Sequence, residues 1–120
     1  MAPLWTAPPQ RKQQRKPDIE IVTIASLRQE GTVEYEGIWR VTGNRPVTGL
    51  VIRLEFLDSG GRMVSAQSME LEAGTLQPGE EREFHIQGRD VPRAVRFRIS
   101  VTDRKGRDLT IAGAGPYALG

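Results

Sequence analysis

The chain has no cysteine and a single histidine, His85. Disulfides, thiolate nucleophiles and every Cys-based zinc site are therefore excluded. Any Ser-His-Asp arrangement would have to use that one imidazole. Aromatic residues are also scarce, at 6% of 120 residues, so most of a core must come from Val, Ile and Leu. No run of about 18 apolar residues occurs, which leaves no candidate for a helical membrane span. The N-terminus lacks the apolar stretch of a signal peptide. Absence of cysteine does not fix the compartment. The expectation is an extracytoplasmic domain, in the cell envelope or secreted, if an upstream targeting segment has been removed, and a cytoplasmic one otherwise.

What is present suffices for one ordinary domain, with 38% hydrophobic and 27% charged residues, 13 Gly and 8 Pro. Charge is distributed unevenly. Residues 1–16 carry Arg11, Lys12, Arg15 and Lys16 and no acid; residues 17–88 hold 12 acidic against 6 basic side chains; residues 89–120 hold 7 basic against 3 acidic. Residues 1–17, with Pro3, Pro8, Pro9 and Pro17 among polar and basic residues, show no apolar period. They are read as an extended, Pro-rich basic tail or linker.

From Asp18 the hydrophobic period is two, not 3.6. Ile19 and Ile21 share a face before the parity shifts to Val22 and Ile24, which predicts a bulge. Val33, Tyr35, Gly37, Trp39 and Val41 alternate with Glu34, Glu36, Ile38 and Arg40. Leu50, Ile52, Leu54 and Phe56 form the inward row of a third run, closed by Asp58-Ser59-Gly60-Gly61. A weaker run spans Arg62 to Leu71, and a short one carries Phe84 and Ile86 inward and Glu83 and His85 outward. Val95, Phe97, Ile99 and Val101 alternate with Arg96, Arg98, Ser100 and Thr102 before Asp103-Arg104-Lys105-Gly106, and the last run carries Leu109 and Ile111. About seven short strands with turn signals every 8–12 residues predict an all-β fold. The expected architecture is an antiparallel immunoglobulin-like β-sandwich over residues 18–112, with an extended N-terminal tail. Residues 113–120 are expected to form an irregular, Gly-rich C-terminal tail.

Glu36-Gly37-Ile38-Trp39-Arg40-Val41 through Asn44, Leu50 to Phe56 with Asp58 and Gly61, and Leu76-Gln77-Pro78-Gly79-Glu80 with Phe84 resemble the FxLYD-type bacterial domains and similar immunoglobulin-like modules. The likeness spans about residues 33–102, with Leu54-Glu55-Phe56-Leu57-Asp58 standing where the family has Phe-x-Leu-Tyr-Asp. It implies a non-catalytic module outside the cytoplasm and carries over no functional residue.

No phosphate-cradling Gly motif occurs. His85 reads as a solvent-facing strand residue, because no Ser, Asp or second ligand is spaced to assist it. Glu34 and Glu36 lie about 7 Å apart along one strand face and read as a solvated surface, not as a glycosidase pair across a cleft. Tyr35 and Trp39 read as core anchors. No catalytic, cofactor or metal residues are expected. Two groups remain as candidate contacts. Leu4, Trp5, Arg11, Lys12, Arg15 and Lys16 would meet a protein partner, a second copy or weakly an anionic surface. Arg96, Arg98, Arg104, Lys105 and Arg107 form a candidate basic face, either paired with Glu55 or open to nucleic acid. The function expected is a non-enzymatic interaction or structural module that pairs through its sheet edges; the alternative is a nucleic-acid-binding module that uses the tail and residues 89–107.

Overall fold

The computed structural model describes residues 16–120. Two sheets pack face to face. One has the strand order β5-β2-β1-β8, from β1 (Ile19–Gln29), β2 (Thr32–Val41), β5 (Glu81–Arg89) and β8 (Ile111–Ala112). The other has the order β4-β3-β6-β7, from β3 (Val47–Leu57), β4 (Met63–Leu76), β6 (Arg96–Asp103) and β7 (Asp108–Leu109), and β9 (Tyr117–Ala118) also pairs with β6. This is the expected antiparallel immunoglobulin-like sandwich. Among the described residues no helix is long and apolar enough to cross a membrane.

Strand parity explains the core. Tyr35 and Trp39 from β2 meet Leu50, Ile52, Leu54 and Phe56 from β3 and Phe97, Ile99 and Val101 from β6, all buried. Ile19 and Ile21 join them, and the register of β1 against β2 slips between Ile21 and Thr23, where the sequence places a bulge. Tyr35 and Phe97 meet edge to face at 5.4 Å. Gly37 occupies an inward position that no side chain fits. A Cβ there would lie 2.3 Å from the Thr23 carbonyl oxygen and 2.7 Å from the Phe84 ring.

Three expectations are corrected. Val95 is 40% exposed, and Ala94 takes the inward position at 0%. The cause is a tight turn in which Ala94 N donates to Val91 O at 2.9 Å, so that β6 begins only at Arg96. The last run is not one strand. Leu109 pairs with Val101 in one sheet, whereas Ile111 pairs in parallel with Ile19 in the other, so the chain changes sheets at Thr110 and the strand total exceeds seven. Residues 113–120 are not an irregular tail either. Ala114 O accepts from Ile99 N at 2.8 Å, Tyr117 stacks on Phe97 at 5.6 Å, and Leu119 is buried. Apolar side chains at residues 117 and 119 outweigh the flexibility that Gly113 and Gly115 confer.

Asp18 and Thr110 tie the two ends of the sandwich together. Asp18 N donates to Thr110 O at 3.0 Å, and Thr110 N donates to Asp18 Oδ2 at 2.8 Å. The two Asp-x-x-Gly hairpins share one turn chemistry. Asp58 Oδ1 accepts from Gly60 N and Arg62 N, and Asp103 Oδ1 accepts from Lys105 N and Arg107 N, all at 2.9 Å. Gly61 and Gly106 supply the positive φ that closes each turn, at 83° and 88°.

Candidate interaction surface

β5 is the edge of its sheet, and β4, across the sandwich, is the edge of the other. The two edges run side by side. β4 is irregular against β3, with register shifts between Thr48 and Leu50 and between Phe56 and Leu57. β5 is different: nine consecutive residues pair with β2, from Arg89 opposite Thr32 to Glu81 opposite Arg40, without a bulge. β7, β8 and β9 have two residues each. Among the described residues β5 thus offers the longest unbroken edge, nine residues, ahead of Ser65–Leu71 of β4 and of the Thr23–Gln29 side of β1 that β8 leaves unpaired.

The direction of its main-chain groups follows from its two ends. Val41 N donates to Glu80 O at 3.0 Å and Val41 O accepts from Gly79 N at 2.8 Å, which starts the ladder. Bonded pairs recur every second residue in an antiparallel ladder. Arg82, Phe84, Ile86 and Gly88 thus bond to β2, and Glu83, His85 and Gln87 direct N–H and C=O away from the sheet. Arg89 continues the outward set, and its groups are capped: Gln67 of β4 donates Nε2 to Arg89 O at 3.0 Å and accepts from Arg89 N at 3.2 Å through Oε1. Gln67 staples the two edges at one end of the seam. Further along, the seam opens over Trp39, Leu71, Phe84 and Ile86, bordered by Glu70, Arg82, Glu83 and His85. The buried Trp39 Nε1 has no hydrogen-bond partner, and neither has the Tyr35 hydroxyl. The Tyr35 phenol is pushed up to about 12, first by burial and then by the charge of Asp90, against the opposing charge of Arg28.

The outer face beside this edge is acidic. It presents Glu20, Glu34, Glu36, Glu81 and Glu83 against Arg40 and Arg89. His85 faces out as expected, but it has a partner. Its Nε2 lies 2.6 Å from Glu34 Oε1, and Gln87 Nε2 donates to Glu34 Oε2 at 3.1 Å. Glu36 is the residue directly opposite His85; Glu34 reaches it diagonally. No Ser, Asp or second ligand is spaced in the sequence to assist His85; the cross-strand register supplies a carboxylate, that of Glu34, which sequence spacing does not reveal.

The candidate basic face divides. Arg96 and Arg98 lie exposed on the outer face of the second sheet. Arg98 Nε donates to Glu55 Oε1 at 2.7 Å, and Arg53 Nε donates to Glu55 Oε2 at 3.3 Å. Glu55 is held below the ordinary carboxylate range, chiefly by the Arg98 hydrogen bond. Arg104, Lys105 and Arg107 belong to the β6–β7 turn, beyond the strand. Arg107 pairs with Asp103 at 3.4 Å, and Arg104 lies against Gly49. Of the tail candidates, Leu4, Trp5, Arg11, Lys12 and Arg15 fall outside the described residues. Lys16 is exposed and, with Pro17 and Glu20, borders a shallow hollow. Sequence reasoning missed two devices, the Gln67 staple and Arg28. Arg28 Nε donates to Asp90 Oδ1 at 2.9 Å, and its Nη2 donates to Val91 O at 3.0 Å and Ala94 O at 2.6 Å, bracing the turn before β6. Neither has a local sequence signature, since each joins residues more than 20 positions apart.

No protein-family model matches the chain, and no curated protein matches it. Solved structures do. A β-glucuronidase 2 from Bacteroides uniformis, covalently bound to cyclophellitol-6-carboxylate aziridine, is similar with a TM-score of 0.58 at 14% identity, over 87% of this chain and 15% of that one. A calcium-binding mutant of the same enzyme gives 0.57 at 13% identity. IrmA from Escherichia coli is similar with a TM-score of 0.54 at 14% identity, over 89% of this chain and 99% of that one. The chain spans about 15% of the length of the glucuronidases it matches. At these identities the likeness establishes the sandwich fold.

Proposed function

We propose that this chain is a non-catalytic β-sandwich module that binds a protein by strand pairing at the β5 edge. In this reading its N-terminal segment tethers it within a bacterial envelope or extracellular assembly. The observation that carries the proposal is the outward main-chain row of Glu83, His85 and Gln87 on a regular edge. Natural sheets usually blunt such an edge with bulges, proline or short length, and an open one takes up an extended partner segment. The FxLYD-type resemblance implies the same class of role. His85→Pro is the discriminating variant, because it deletes an outward donor and no β2–β5 bond. The full chain and this variant would each be used to recover partners from cells that make the protein. Partners should be lost with the variant, and amides of Glu83, His85 and Gln87 should exchange slowly in the wild-type complex. Partners retained by the variant, with those amides still exchanging fast, would overturn the proposal.

One observation favours a second reading, nucleic-acid binding. Arg53 and Arg98 share the single carboxylate of Glu55, which leaves excess positive charge beside the exposed Arg96. Affinity for a DNA or RNA probe that falls steeply with salt would support it, and salt-independent or absent binding would exclude it.

A further inference from the structure

We infer that the segment accepted by the β5 edge is β5 of a second copy of this chain, laid antiparallel and centred on His85. The inference rests on the edge-pairing reading above and names its partner. A two-fold axis at the middle of the strand gives full overlap of the nine residues, and each residue then faces the one whose number completes the same sum. His85 faces the partner's His85. Glu83 faces the partner's Gln87, and Glu81 faces the partner's Arg89, so on the outer side no acid meets an acid directly. On the inner side Phe84 faces the partner's Ile86. That pairing covers Ile86, which is only half-buried in one copy and lines the open seam. Arg82, the one charged residue at an inward position of this strand, faces the partner's Gly88, beside which the partner's Gln67 Oε1 stands as a polar neighbour.

The main chain fits the same register. The outward residues are odd-numbered, and this register pairs odd with odd: 83 with 87, 85 with 85, 87 with 83. Each pair exchanges two hydrogen bonds. At Arg89 the Gln67 staple already occupies both groups, so the ladder stops there in each copy. Because the two-fold register uses the β5 edge of both copies, the assembly closes as a dimer, and Gln67 trims its ladder to the pairs between residues 83 and 87. The two four-stranded sheets would join into one of eight strands.

The absence of native cysteine makes the test direct. In full-length chain carrying His85→Cys, opposed Cα atoms about 5.5 Å apart fall within disulfide range. Mild oxidation should convert most of the chain into a reducible covalent dimer. Ser100→Cys, on the outer face of the other sheet, should stay monomeric. The wild-type chain should show a concentration-dependent monomer–dimer equilibrium in sedimentation, and His85→Pro should weaken it at least about tenfold. A wild-type chain that stays monomeric up to about 1 mM would overturn the inference. So would a dimer that cross-links at residue 100 and not at 85. A monomeric wild type whose recovered partners are still lost with His85→Pro overturns self-pairing alone. A dimer that cross-links at 85 while other recovered partners persist with the variant supports self-pairing and removes only the wider reading.

Discussion

Trp39 shows how much one residue carries. Its side chain is 1% exposed and sits in the shared core, but its indole nitrogen is unpaired. Two effects therefore oppose each other. Trp39→Ala leaves a large cavity and should cost about 3–5 kcal/mol in urea unfolding. Trp39→Phe leaves a smaller one and relieves a buried donor whose desolvation costs about 1–3 kcal/mol. It should therefore be the milder change by at least about 1 kcal/mol. Equal losses would mean that the indole nitrogen finds a partner in solution. The role of Trp39 was legible in the sequence, because period-two alternation from Val33 to Val41 admits one burial pattern. The Glu34–His85 contact was not, because it depends on how β5 slides against β2, and 51 residues of chain separate the two.

Among the elements, the twin hairpins are the most self-contained. The Asp58 and Asp103 carboxyls are held below the ordinary carboxylate range, chiefly by hydrogen bonds from Arg62 N and Arg107 N. A depressed folded-state pKa favours the native state while the group is ionised. The contribution is complete above the ordinary carboxylate range and is lost as pH falls through the depressed folded value. Urea midpoints taken from pH ~7 to ~2 should therefore drop across the acid range. Asp58→Asn and Asp103→Asn should each flatten that drop; an unchanged profile in both would show that the turns contribute nothing. These turns were readable from Asp-x-x-Gly alone. The start of β6 was not. Val95 and Phe97 have matching parity in the sequence, but the Arg28-braced turn ends one residue before Val95 and places Ala94 inside. Local alternation has no access to a brace that comes from β1.

At the scale of the molecule, the C-terminal segment closes the sandwich. Tyr117 covers Phe97, Leu119 is buried, and Gly120 N donates to Ser26 Oγ at 3.1 Å. Removing residues 117–120 should cost about 2–5 kcal/mol by exposing that apolar surface, measured as a fall in the urea midpoint; an unchanged midpoint would return the segment to the status of a tail. Composition concealed this role, since three glycines in the last eight positions mask the two apolar residues that matter. The route of the same segment has a mechanical consequence. Just upstream of it β8 pairs in parallel with β1 at Ile19 and Glu20, and the chain then ends beside Ser26, so the strand entered at Asp18 and β8 point the same way. Tension applied at residues 18 and 120 would run along both strands and load the Asp18–Thr110 bonds and the β1–β8 pairs together, in shear. A hairpin pulled from its open end gives way one bond at a time; here the bonds would share the force.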